Sequence, residues 1–138
     1  AAESTVSKGV SRVSSKSFTP RVILKQECPF CLKLMIFLHE AGLSGDFRYL
    51  TVHGDTEEYE EVRSILEETL GEASFPTVET ASGEFMSGSD DLIDHYADKH
   101  GIDRSALALL TYYEGGVFPA MTSLFKENQA LKQELEDA

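Results

Sequence analysis

The chain has little cysteine, no tryptophan and few basic residues: two cysteines, and 12 Lys and Arg against 24 Asp and Glu. It also lacks any run of about 18 apolar residues, so no segment reads as a membrane-spanning helix and a soluble protein is expected. The formal charge is −12, and residues 1–21 hold a net +3 of it (Lys8, Arg12, Lys16 and Arg21 against Glu3), leaving −15 on the remainder. Phosphate binding needs clustered Lys and Arg, so nucleic acid is excluded as the main partner. With 138 residues, 41% of them hydrophobic, the chain can bury one core and is expected to form one compact domain with tails.

The basic, Ser-rich opening, residues 1–19, reads as a flexible segment. Val6, Val10 and Val13 fall at helical spacing within it, so a short docked helix is the second reading. Its composition is also that of a transit-peptide remnant, without the apolar core of a secretory signal. The expected location is therefore cytoplasmic, or organellar if the opening is such a remnant.

Order begins at Pro20. The run "RVILKQ" predicts a buried strand that leads directly into Cys28-Pro29-Phe30-Cys31. "LKLMIFLHEAG" then predicts a helix from the spacing of Leu32, Met35, Ile36 and Leu38, ended by Gly42. "DFRYLTV" predicts the next strand. "DTEEYEEVRSILEETLG" predicts an acidic helix capped by Asp55 or Thr56, with Tyr59, Val62, Ile65 and Leu66 as its apolar stripe and Gly71 as its stop. Residues 75–80 and 84–87 predict a hairpin turning at Ala81-Ser82-Gly83. "GSDDLIDHYADKHG" predicts a helix with Ser89 or Asp90 as N-cap. The resulting β-α-β-α-β-β-α order predicts a four-stranded mixed sheet with helices on both faces. With a CxxC at the first strand-to-helix junction, it resembles a thioredoxin-like redox domain.

Three chemistries compete for Cys28 and Cys31. A disulfide between them closes almost no loop and removes little unfolded-state entropy, so it would be a weak staple. Zinc needs about four ligands, and His39, His53, His95 and His100 show no paired spacing with the cysteines. Redox exchange therefore leads. Cys28 stands where a helix begins, and the unsatisfied N–H groups and positive dipole end there favour a thiolate. Pro29 fits the first turn because its missing N–H has no intrahelical use. Cys28 is thus expected to be the nucleophile and Cys31, about a turn further in, the resolving thiol.

"LKQECPFC", "FPTV" and "GSDDL", in this order over residues 20–101, together resemble a glutaredoxin. The resemblance implies a thioredoxin-like sheet and glutathione-dependent reduction of protein disulfides and glutathione mixed disulfides. Glutathione is then a co-substrate, and no metal or organic cofactor is implied. It implies that Lys25 meets a glutathione carboxylate and that Pro76 is a cis-proline facing the active cysteine. The Phe75 backbone would pair with an extended substrate, and Gly88, Ser89 and Asp90 would hold the γ-glutamyl end. Phe30 is expected either to touch substrate or to cover the helix start. Glu27, beside Cys28, is expected to face solvent. The Trp-Cys-Gly-Pro-Cys of thioredoxins is absent.

Residues 102–138 lie outside that resemblance. "DRSALALLTYYEGG" predicts a short helix, and a second is expected after Phe118-Pro119. Met121, Leu124, Asn128, Leu131 and Leu135 form its stripe. Packing on the core is the first expectation for this stripe and a homodimer contact the second. "YYEGGVFPAMTSLF" also resembles the start of the helical domain of glutathione transferases, so a transferase or isomerase is the alternative function. A non-enzymatic iron–sulfur or redox-sensing binder is the third.

Overall fold

The computed structural model describes residues 18–138, so the expected opening segment and its short helix through Val6, Val10 and Val13 lie outside the described residues. Strand β1 (Arg21–Lys25) leads into α1 (Pro29–Glu40), then β2 (Arg48–Val52), α2 (Glu57–Leu70), β3 (Thr77–Ala81), β4 (Glu84–Ser87) and α3 (Ser89–His100). The sheet order is β2-β1-β3-β4. β1 runs parallel to β2, with Ile23 opposite Leu50, and antiparallel to β3, with Ile23 opposite Thr77. β4 returns antiparallel beside β3. The parallel pair requires a crossover, and α1 supplies it. This is a thioredoxin-like fold.

Alternation along β1 divides the core. Val22 and Leu24 point into a cluster with Leu34, Phe37 and Leu38 of α1 and Leu92, Ile93 and Tyr96 of α3. Ile23 and Lys25 point the other way, and the Lys25 ammonium lies 5.2 Å from the centre of the Tyr59 ring, which places α2 on that face. Phe37, Leu34 and Leu38 are fully buried, and each contributes about 1.5–3 kcal/mol by leaving water. The buried face of α1 is therefore not quite the expected one, since Leu32 is 44% exposed. Nearly every position of "LKLMIFL" is apolar, so periodicity alone does not choose the face. Likewise Leu66 is the only fully buried member of the expected α2 stripe, and Ile65 is exposed.

Two caps follow different rules. Thr56 caps α2, its Oγ1 accepting from the Tyr59 N–H at 3.1 Å. At α3 the expected Ser89 or Asp90 cap is replaced by Gly88, whose φ of 98° suits only glycine well. Ser89 and Asp90 are already inside the first turn, too far along to cap it.

The tail departs most from expectation. After a 3₁₀ turn, α4 (Ala108–Tyr112) passes through a π-helical stretch, Tyr113–Val117, into α5 (Phe118–Asp137) without leaving helical backbone. The break expected at Phe118-Pro119 is absent because Pro119 sits in the first turn of α5. The wider π turn before it takes up the clash that a proline ring makes with the carbonyl four residues back. α5 has no fully buried residue: of its stripe Met121 is half-buried beside Leu32 and Met35, and core packing is overturned for Leu124, Leu131 and Leu135, which are exposed.

Glu40, at the end of α1, holds the tail in place. Its carboxylate accepts the N–H groups of Leu109 at 2.7 Å and Leu110 at 2.9 Å, capping α4 from a neighbouring helix. Leu107, at the N-cap of α4, offers no side-chain bond. Glu40→Ala is expected to lower stability by about 1.5–3 kcal/mol, read as a shift in urea midpoint, with Glu40→Gln losing less. An unchanged midpoint would remove the cap from this account.

Candidate active site

The site forms where the end of β1 passes into α1. Gln26 and Glu27 make the turn, with Glu27 exposed at φ 62°. Cys28 is the N-cap of α1 in extended conformation, and its Sγ accepts the Cys31 N–H at 3.3 Å. Pro29 occupies the first turn of α1. Both thiols are free, Cys28 half-buried and Cys31 buried.

Their proton affinities diverge strongly. The Cys28 thiol is lowered to about 6, first by its hydrogen bond with the Cys31 side chain, then by the N–H groups of Cys31 and Phe30 and the charge of Lys25; burial opposes these. The same shared bond, together with burial, pushes Cys31 up. One proton thus stays on Cys31 while Cys28 is the thiolate. The Lys25 N–H, 3.4 Å from Cys31 Sγ, steadies the buried sulfur. Alkylation of the reduced protein by iodoacetamide is therefore expected to reach half its limiting rate near pH 6 and to be flat above about pH 7. A rate still climbing at pH 8 would contradict the assigned acidity.

The residues singled out in the sequence fall along two clefts, one lined by Cys28 and the other sharing Phe30 and Phe75 with it. One, of about 610 Å³, holds Lys25, Cys28, Phe30 and Phe75, and its far wall is α5, through Thr122, Phe125 and Lys126. The other, of about 560 Å³, is lined by Phe30, Phe75, Gly88, Ser89 and Asp90. The Phe75–Pro76 peptide between them is cis, and the Phe75 carbonyl oxygen lies 3.9 Å from Cys28 Sγ. The Phe75 ring stacks on Tyr59 of α2, centroids 5.9 Å apart. Pro76 also fixes the start of α3, its carbonyl accepting the Gly88 N–H at 3.2 Å.

Asp90 is not free in its cleft. Lys33, almost fully buried in α1, reaches it at 2.9 Å, and Arg104 reaches it at 3.2 Å. These cations, Lys33 foremost, hold the Asp90 carboxyl below the usual range. Glu114 of the π stretch joins the network through Arg104 and Lys33.

Several contacts near the sulfur had no signal in the sequence. Tyr113 donates its hydroxyl to the Pro29 carbonyl at 2.7 Å, beneath the first turn of α1. Phe118 packs edge-on against Phe30, centroids 5.1 Å apart, and lies 4.3 Å from the Lys33 ammonium. Phe30 thus has a partner in the tail while staying 44% exposed between the two clefts. Among these, only Lys33 left a trace, as a lone cation in an otherwise apolar helical run.

Among the described residues no group of three or more His, Cys, Asp or Glu is placed to hold a metal ion, and no helix is long and apolar enough to cross a membrane. No protein-family model and no curated protein sequence matches the chain. Among solved structures, the chain is similar to oxidized glutaredoxin 2 from Chlamydomonas reinhardtii, with TM-score 0.47 and 23% identity over 70% of this chain and 82% of that one. It is also similar to glutathione transferase Omega 2C from Trametes versicolor, with TM-score 0.41 and 14% identity over 67% of this chain and 39% of that one.

Proposed function

We propose that the chain is a glutathione-dependent thiol-disulfide oxidoreductase acting on disulfide-bonded or glutathionylated proteins. The observation that carries this reading is the pairing of an acidic, accessible Cys28 with a buried Cys31 that keeps the proton. The Cys28 thiolate attacks the glutathione sulfur of a mixed disulfide. The substrate thiolate leaves and takes a proton, and glutathione remains disulfide-bonded to Cys28. A second glutathione thiolate attacks that adduct, giving glutathione disulfide and restoring the Cys28 thiolate. With a protein disulfide, the Cys28 thiolate attacks one sulfur to give a mixed disulfide, and Cys31 attacks Cys28 to release the reduced protein. Two glutathiones then reduce the Cys28–Cys31 disulfide to the dithiol, leaving as glutathione disulfide. Once Cys28 is in the adduct its negative charge is gone, so the largest influence that pushes Cys31 up falls away when Cys31 has to ionise, leaving burial.

Lys25 suits one glutathione carboxylate, and the Phe75 backbone suits the cysteinyl part as an added strand would. The N–H groups at the start of α3 suit the γ-glutamyl carboxylate. Asp90, held by Lys33 and Arg104, contributes as part of that fixed network. The chemistry calls for no metal or organic cofactor.

Reaction of the Cys31→Ser variant with glutathione disulfide tests this directly. One glutathione per chain is expected, mapped to Cys28 and released as glutathione disulfide on adding glutathione. No adduct, or an adduct elsewhere, would sink the proposal. The α5 wall, which puts Phe125 in the same cleft as Cys28, also favours a second reading, conjugation of glutathione to an apolar electrophile. That reading predicts electrophile turnover indifferent to Cys31.

A further inference from the structure

We propose that α5 is a dimerisation element, pairing with α5 of a second copy as a short parallel coiled coil. The helix is 20 residues long and buries none of them, yet Leu124, Leu131 and Leu135 are 63%, 53% and 77% exposed. A helix of this length is marginal in water without a tertiary partner for its apolar face.

The positions of that face specify the partner. Met121, Leu124, Asn128, Leu131 and Leu135 follow steps of three, four, three and four residues, the a and d sites of a heptad. Leucine fills both full d sites, Leu124 and Leu131. Asn128 falls at an a site, where a single buried asparagine favours a parallel, in-register pair at some cost in stability. The flanking charges agree. Glu127 and Lys132 then hold g and e sites, and a parallel pairing sets Glu127 of one copy beside Lys132 of the other. An antiparallel pairing would instead bring Glu127 toward Glu134, like against like.

Met121, half-buried at the start of the stripe, lines a small cleft beside Cys28 and Cys31, so the free seam runs from Leu124 onward, on the other side of the helix from the larger cleft. At 100° per residue, the side chains that line that larger cleft (Thr122, Phe125, Lys126, Gln129) are centred roughly 130° from the seam. A two-fold axis along α5 therefore leaves the larger cleft on the outer flank of each copy. This inference does not depend on the redox reading.

Sedimentation analysis of the reduced full chain, from roughly micromolar to submillimolar concentration, tests it. A monomer–dimer equilibrium is expected, and Leu124→Glu/Leu131→Glu should stay monomeric, losing at most the far-ultraviolet circular dichroism signal of the 20 residues of α5, since both sites are exposed and the rest of the fold does not use them. Glu127→Lys should weaken the dimer by about tenfold, and adding Lys132→Glu should restore it to within about threefold. A wild-type chain that is monomeric throughout, or a double-leucine variant that still dimerises, would overturn the proposal. So would Glu127→Lys tightening the dimer, the result an antiparallel pair gives.

Discussion

Replacing Cys28 with serine is expected to lower glutathione-dependent turnover of a small mixed disulfide by at least about a thousandfold, equivalent to about 4 kcal/mol of barrier. A serine hydroxyl stays protonated where the Cys28 thiol, at about 6, is already ionised, and oxygen does not enter the disulfide exchange that sulfur does. Substitution at Cys31 separates two roles of that residue. Cys31→Ser should keep turnover of the small mixed disulfide within about threefold, since a second glutathione closes the cycle, yet should lose reduction of protein disulfides. It also keeps a hydroxyl able to donate to the Cys28 sulfur. Cys31→Ala removes that donor, which is the largest influence lowering Cys28. The alkylation midpoint should therefore move to higher pH in the alanine variant and less in the serine variant. Full turnover by Cys28→Ser would discard the mechanism.

How much of this was legible in the sequence depended on whether a signal was local. The strand and helix order of residues 20–101 was readable, because turn residues such as Gly42, Gly71 and Gly101 punctuate it and each lies at positive φ beside a helix end or turn. The unequal settings of Cys28 and Cys31, one half-buried and the other buried, were also readable, since they follow from their places at the start of one helix and a turn inside it. What was missed is long-range. Tyr113 bonding to Pro29 spans 84 residues, and Glu40 capping Leu109 spans 69. No pattern within either segment announces the other. The α5 stripe was seen, but its spacing is the same whether it meets a core or a second helix, and only its exposure in the fold distinguishes the two. Gly88 was read as part of a glutathione contact, with the cap given to its neighbours, because side-chain caps leave a sequence signature and a backbone angle does not.

Lys33→Ala is expected to be among the most destabilising single changes, at about 2–4 kcal/mol. The Lys33 side chain is 4% exposed and ties three elements at once: α1 to Asp90 of α3, and α1 to Glu114 and the Phe118 ring of the tail. Truncation empties the space filled by the stem and leaves Asp90 and Glu114 sharing Arg104 as their remaining cation. Lys33→Met fills most of that space with an apolar chain against Phe118, so it should lose less, about 1–2 kcal/mol. The pH dependence has a definite sign. Asp90 is held below its ordinary value in the fold, so its pairing with Lys33 contributes fully above the unfolded carboxyl range, roughly pH 4, and is lost as pH falls through the lowered folded value. The stability gap between wild type and Lys33→Met should accordingly narrow in acid, whereas the packing loss of Lys33→Ala should persist. Urea titrations of all three proteins at pH 7 and in acid read both effects. Because the network also fixes the start of α3 beside the second cleft, Lys33→Met is further expected to raise the KM for glutathione while leaving the alkylation midpoint of Cys28 in place, as Lys33 is not among the groups that set it. A midpoint that moved with Lys33 would mean that the buried network reaches the nucleophile, and the separation of binding from acidity drawn here would fail.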